Sequence, residues 1–510
     1  GLACYAGRTL QKEEHQRTSL MGSSLPMCKW QQSKGYACFL SHYKAECAST
    51  ARLLHTYLQS MLGVDVFLDS SRLRDLRLLF DEGLLKSDVV VLLLTAEYLT
   101  RPWCLLEVWE AERSGIPVLP LIITPVQGQR GFDVVQARAQ LAALETTLDA
   151  SALSVIHAHL AAQQPPAPMS EFKAALMRAM GLGSSSSDND STFLSWDPCA
   201  SDRLMWASTQ TLCENMAQLA GRHPLQWSSR RSLFASRTSR ATNSSLSSRS
   251  SYSAGRRRQS SCFEMFISYH RAESGPDARV LHGALEAALN DNTRARQRRR
   301  VFLDATDATD LDTILSVVEA SHTVLLLLTP HAFERPWVLL EVYDAVRLGK
   351  TIVPVKIDKR GYDFAATKRF LSDLETSLGD RDESALVELR ARLAERHDTP
   401  VSVSQVGSLL ARTIPNIIAI NFDPAGDNHG DHQLKAVVSE VVDRARSPGW
   451  SASKARNKVT ERTTSVILAD ESTTTTTTTT TTLATTTTAD ANPGVAMSTI
   501  TTITSVNLAS

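Results

Sequence analysis

Short runs of uninterrupted apolar residues alternate along this chain with stretches in which apolar positions recur every three or four residues. Val89-Val-Val-Leu-Leu-Leu and Val324-Leu-Leu-Leu-Leu are the longest runs. A strand that is apolar at every position is buried on both faces, as in a parallel sheet, and the helical stretches between runs supply the crossovers such a sheet needs. Between residues 36 and 220 the pattern predicts strands at Ala37–Ser41, Val64–Leu68, Val89–Thr95, Ile116–Ile122 and Thr192–Trp196. Between 263 and 446 it predicts strands at Met265–Ser268, Val301–Leu303, Thr323–Thr329, Thr351–Lys356 and Ile417–Asn421. Strand and helix alternating with right-handed crossovers give an α/β fold, with an open, doubly wound five-stranded parallel sheet in each half.

The second set of elements copies the first. Thr95 to Pro120 and Thr329 to Pro354 are identical at 12 of 26 positions at a constant offset of 234. Cys38-Phe-Leu-Ser-His aligns with Met265-Phe-Ile-Ser-Tyr, and Val66-Phe-Leu-Asp with Val301-Phe-Leu-Asp. Leu144-Glu-Thr-Thr-Leu aligns with Leu374-Glu-Thr-Ser-Leu, and Leu194-Ser-Trp-Asp-Pro with Ile420-Asn-Phe-Asp-Pro. An internal duplication divides the 510 residues into an N-terminal extension (1–35), a first domain (36–220), a linker (221–262), a second domain (263–446) and a tail (447–510).

Composition changes this picture in only a few places. Lys plus Arg equals Asp plus Glu at 54 each, so net charge gives no reason to expect a nucleic acid or an anionic membrane as partner. The stretch 221–261 holds nine arginines, fourteen serines and no acid, and its +9 leaves the rest of the chain at −9. It reads as a disordered, solvated tether, and Arg256-Arg-Arg-Gln-Ser within it resembles a site for basophilic kinases. The tail, with ten threonines from Thr473 to Thr482, reads as disordered too. Eight irregularly spaced cysteines without a C-x-x-C pair read as reduced thiols, which points to the cytoplasm. No apolar run approaches the roughly 20 residues a membrane span needs. The chain starts at Gly1 without a methionine, so an upstream targeting segment stays open.

The richest motif lies between the third strand and the helix after it. In both copies L-L-L-T is followed, after six residues, by a proline-preceded W-x-L-L-E: Trp103 to Glu107 and Trp337 to Glu341. Pro102 and Pro336 suit the first helical position, which puts Trp103 with Glu107, and Trp337 with Glu341, at i and i+4 on one helix face. The helix start borders the carboxyl ends of the strands, where ligands of open α/β sheets bind at the reversal of strand order.

Phe39-Leu-Ser and Phe266-Ile-Ser resemble the first sequence box of Toll/interleukin-1 receptor (TIR) domains, and Phe67-Leu-Asp and Phe302-Leu-Asp the strand leading into that family's BB loop. Trp103-Cys-Leu-Leu-Glu resembles the W-C-x-x-E of NAD-cleaving TIR domains. The resemblance covers both copies and implies two flavodoxin-like sheets in an intracellular signalling protein. It also implies partners recruited by self-association or by other TIR proteins, and NAD as substrate, with neither metal nor prosthetic group. It makes Glu107 and Glu341 the catalytic candidates. Ser41, Lys44 and Trp103 in the first copy, and Ser268, Arg271 and Trp337 in the second, are the positions it implies for binding NAD, the two basic ones toward phosphate.

Cleaving the nicotinamide–ribose bond builds positive charge on the sugar, which a carboxylate stabilises while orienting the ribose hydroxyls. Nicotinamide leaves as a neutral base, so one glutamate suffices. The other reading is a non-catalytic scaffold, favoured by BB loops that lack the family's glycine: Ser70-Ser-Arg-Leu-Arg-Asp-Leu and Ala305-Thr-Asp-Ala-Thr-Asp-Leu. The first copy follows the family more closely, because Tyr98 and Cys104 become Ala332 and Val338 in the second. Three other patterns carry no site. Gly349-Lys-Thr lacks the upstream glycine of a phosphate loop. Asp427, His429, Asp431 and His432 have no histidine counterpart in the first copy. The arginine run 294–300 lacks the interleaved aromatics of a nucleic-acid surface.

Overall fold

The structure, a computed structural model, describes residues 28, 30–31, 33–68, 80–183, 193–222, 225, 227, 263–290, 300–303, 311–358, 360–396, 401–425 and 430–446. Most of the linker, the tail, both BB-loop stretches up to residues 79 and 310, most of the arginine run, and Asp427 and His429 lie outside them.

In the first half β1 (Tyr36–His42), β2 (Phe67–Leu68), β3 (Ser87–Leu94), β4 (Val118–Ile123) and β5 (Leu194–Trp196) form one sheet in the order β2-β1-β3-β4-β5. In the second, β6 (Phe263–Ser268), β7 (Val301–Leu303), β8 (Ser321–Leu328), β9 (Thr351–Ile357) and β10 (Ile420–Phe422) form another in the order β7-β6-β8-β9-β10. Every pairing is parallel, so two doubly wound α/β sheets stand where the apolar runs put them. The second strand is shorter than the sequence pattern predicts. Phe67 and Leu68 pair with Phe39 and Leu40, the Ala37 N–H reaches the Asp65 carbonyl at 2.8 Å just ahead of them, and the Val66 carbonyl is 3.1 Å from the His55 ring Nε2. His282 approaches the Val301 carbonyl in the same way at 3.2 Å.

All eight residues of β3 are buried, and their side chains alternate between two cores. Val89, Val91 and Leu93 face the core under α1 (Lys44–Leu62) and α7 (Asp202–Leu219). Val90, Leu92 and Leu94 face the one under α2 (Pro102–Arg113), α3 (Val134–Ala142), α4 (Leu144–Thr147), α5 (Ala150–Ala161) and α6 (Met169–Ala179). The second half repeats this, with α8 (Arg271–Asn290) and α15 (Gly430–Arg446) on one face. On its other face lie α9 (Leu311–Ala320), α10 (Pro336–Arg347), α11 (Phe364–Ser372), α12 (Leu374–Arg381), α13 (Glu383–Arg396) and α14 (Val403–Thr413). Pro102 and Pro336 occupy the first turns of α2 and α10, as their fixed φ allows. α8 departs from helical geometry at Ser274, just ahead of Pro276, and packs along α1, so the two halves touch through equivalent helices. Among the described residues no helix is long and apolar enough to cross a membrane.

Two segments beyond the repeat boundaries join the first core. Cys28 and Trp30 are buried there, and Trp30 donates its indole N–H to the buried carboxylate of Asp88 at 2.9 Å. Asp88 also accepts from the Ser33 hydroxyl at 2.5 Å and pairs with Arg222 at 3.2 Å, tying the entry and exit of the domain to the amino end of β3.

One glycine sets how closely the second core packs. A Cβ at Gly407 on α14 would stand 2.4 Å from the Leu371 carbonyl oxygen and 2.7 Å from Leu374 Cβ, neither of which is the far end of a flexible chain. Gly407→Ala is therefore expected to destabilise the protein by about 1–3 kcal/mol through overpacking, read as a lower urea midpoint. An unchanged midpoint would show that α11 and α14 separate freely.

Candidate functional site

The geometry starts at the carboxyl end of β1. The chain leaves β1 into α1 on one face and reaches α2 from β3 on the other, so the crevice of strand reversal opens between β1 and β3. Ser41, next to last in β1, donates its hydroxyl hydrogen to Glu107 Oε2 on α2. With that proton committed, the Tyr98 phenol donates to Ser41 Oγ at 2.6 Å. Tyr98 is wholly buried, and burial, with Cys104 and the Glu107 charge next, pushes its phenol well above the usual tyrosine range, so it stays a donor. The result is a chain, phenol to hydroxyl to carboxylate, on a glutamate that is 6% exposed.

The second half repeats the core of this arrangement. Ser268, the last residue of β6, donates to Glu341 Oε2 at 2.6 Å, and Glu341 is 4% exposed. The position of Tyr98 is held by buried Ala332, so the phenol has no counterpart there.

The remaining expected residues take different places. Trp103 and Trp337 do begin the helices, yet each packs sideways. The Trp103 ring centroid lies 6.4 Å from Phe80, and Trp337 donates its N–H to Glu388 at 3.1 Å with Arg392 above its ring. Lys44 is the first residue of α1, beside the crevice. Arg271 begins α8, but its Nε donates at 2.9 Å to the Cys199 carbonyl of the first half. Among the described residues no group of three or more His, Cys, Asp or Glu side chains is placed to hold a metal ion.

A second pair of acids, not singled out by the sequence patterns, braces the same edge. Glu46 Oε2 accepts the Glu97 backbone N–H at 3.0 Å. Its counterpart Glu273 accepts the His331 backbone N–H at 3.2 Å and lies 2.5 Å from His331 Nδ1 and 3.3 Å from His270 Nδ1. The signal was present as the shared basic-Ala-Glu triplets, Lys44-Ala-Glu and Arg271-Ala-Glu. Thus an acid at the start of the first crossover helix fixes the loop that leads from the third strand toward the Glu107 or Glu341 helix.

The family model for the TIR domain matches residues 38–151, which include Ser41, Tyr98 and Glu107. The match lies wholly within the first half of the chain. Among solved structures, the TIR domains of the activated Roq1 resistosome directly recognizing the pathogen effector XopQ match at 16% identity. That match covers 36% of this chain and 98% of theirs, with a TM-score of 0.25. No curated protein matches.

Glu273 makes this edge sensitive to acid. Burial opposes ionisation of its carboxyl, but the hydrogen bonds from His331 and the nearness of His270 and Thr329 outweigh it and hold the group at about 2, against an ordinary 4.5. A carboxyl depressed in the fold contributes stability above its unfolded value and loses it as pH falls toward the folded one. Wild-type protein should therefore lose stability between pH 4.5 and about 2 more steeply than Glu273→Gln, compared by urea midpoints. Parallel curves would remove Glu273 as the cause.

Proposed function

We propose that the chain is a TIR signalling protein built from two TIR copies and that it cleaves NAD to nicotinamide and ADP-ribose products, chiefly at Glu107. The observation that carries this reading is the Tyr98–Ser41–Glu107 chain at the crevice between β1 and β3. A carboxylate held at that edge is suited to stabilise the positive charge that grows on the ribose as nicotinamide departs, and to receive hydrogen bonds from the ribose hydroxyls. Ser41 fixes the orientation of the carboxylate, and Tyr98 fixes Ser41. Nicotinamide leaves with the bonding electrons as a neutral base, and water completes the hydrolysis by adding hydroxyl to the sugar and releasing a proton. Lys44, at the first position of α1, is the basic group suited to the pyrophosphate.

The alternative is a scaffold that assembles partners through TIR contacts and turns over nothing. What favours it is the packing of α1 against α8, a contact between two halves of like fold. In either case the second copy differs at the Tyr98 position, so the two carboxylates are unequal.

Incubating the purified chain with NAD and measuring nicotinamide by chromatography separates these readings. Glu107→Ala should lower turnover on the order of 10²-fold or more, the scale of one lost transition-state contact, while Glu341→Ala costs much less. Tyr98→Phe, which leaves Ser41 without its donor, should fall between them. Unchanged turnover in a folded Glu107→Ala protein would refute the assignment, and a wild-type chain that releases no nicotinamide leaves the scaffold.

A further inference from the structure

The contact between the two halves is arranged about a pseudo-two-fold axis. Arg52 on α1 and Arg279 on α8 are equivalent in the repeat, as are Pro198 and Pro424 after the last strands. Arg52 Nη1 donates to the Pro424 carbonyl at 3.2 Å, and Arg279 Nη1 lies 3.4 Å from the Pro198 carbonyl. Each half thus offers the other the same element, which is the logic of an isologous pair.

Other residues in this contact break the symmetry. Where the first copy has Ser49-Thr50, the second has Pro276-Asp277. The Asp277 side chain is fully buried, accepts the Ser49 hydroxyl from across the contact at 2.5 Å and takes Arg360 from its own half at 3.3 Å. Burial pushes its carboxyl up, with Arg360 and Ser49 opposing. Arg279, 8% exposed, bonds Asp202 at 3.2 Å and the Ala200 carbonyl at 3.0 Å. The Ala272 carbonyl accepts the Gln127 N–H at 2.8 Å. Gly275 lets α8 lie against the first half, since a Cβ there would stand 3.1 Å from Cys199 Sγ.

We propose that Asp277 makes this face selective: α8 is built to receive the α1 face of a first copy and to reject another α8, so that its partner is the other half of this chain. In a pair of two second copies the residue opposite Asp277 is Pro276, which has neither hydroxyl nor N–H. The buried Oδ1 then loses its donor from across the contact, and a second carboxylate approaches it near the axis. A buried carboxylate deprived of a partner costs far more than a neutral mismatch, whereas Thr50 in the first copy carries no such charge. Arg360 does not relieve this, because it belongs to the same half as Asp277 and is already engaged.

The test inserts a specific protease site after residue 240 of the full-length chain, cuts it after purification, and reads the products by native mass spectrometry at low micromolar concentration. The expected product is a one-to-one pair of N-terminal and C-terminal pieces, with no pair of C-terminal pieces. Ser49→Ala should weaken that pair on the order of 10-fold or more, and Asp277→Thr should allow C-terminal pieces to pair with each other. In the uncut chain, Gly275→Cys should cross-link to Cys199 within one chain on mild oxidation. Pieces that separate completely, or C-terminal pairs as abundant as mixed ones in wild type, would overturn the proposal. If Asp277→Thr fails to fold by circular dichroism, Ser49→Ala decides alone, and an unweakened pair there counts against it.

Discussion

A strand buried on both faces has nowhere to place a polar atom except at its ends, and this constraint organises both halves. β3 and β8 are shut off by cores on either side, so hydroxyls and charges gather at the two edges of each sheet. At the amino edge of the first sheet, Asp88 collects Trp30, Ser33 and Arg222 and closes the domain. At the carboxyl edge, Ser41 and Glu107, or Ser268 and Glu341, meet because parallel strands all finish on the same side. Closure and candidate chemistry are therefore kept apart by the length of one strand.

What was legible in the sequence is what this constraint writes into it. Val89 to Leu94 and Val324 to Leu328 carry no polar residue because both faces are dry, and Pro102 and Pro336 mark helix starts because only a first turn tolerates them. The motif put Glu107 and Glu341 near the starts of α2 and α10, where the serines of the first box meet them. Less legible were interactions that pair residues far apart in sequence without a pattern. Trp30 lies outside the repeat, so periodicity assigns it to an extension, yet Asp88, 58 positions on, holds it in the core. Arg271 reads as a phosphate contact by position, but its nearest acceptor is a carbonyl from the other copy. No pattern in the sequence pairs Arg52 or Arg279 with a carbonyl of the other half. A repeat reveals equivalent positions, not which of them touch across copies.

The two halves share some contacts of the fold and differ at others. Phe39 and Phe266 both stack on the second-strand phenylalanine, with near-parallel rings at 5.2 and 5.4 Å. His55 and His282 both approach the backbone carbonyl at the start of the second strand, Val66 and Val301. By contrast Tyr98 becomes Ala332, Glu97 becomes His331, and Thr50 becomes Asp277. The first two changes lie on the carboxyl edge and the third on the face between halves.

These two surfaces border one another. α1 and α8 pair on the sheet face opposite α2 and α10, so the helices that carry the glutamates are not the ones that touch. The segments that complete the contact, however, all follow the carboxyl ends of strands: Gln127 follows β4, Pro198 and Cys199 follow β5, Ala272, in the first turn of α8, follows β6 and Pro424 follows β10. The acid that braces the Glu341 side of that edge, Glu273, lies on α8 within four residues of Asp277. Glu273 holds the loop at His331 from a position four residues ahead of the Asp277 that meets the other half. Pairing and the chemistry of the second sheet's edge share one short stretch of helix, kinked at Ser274 between the two acids.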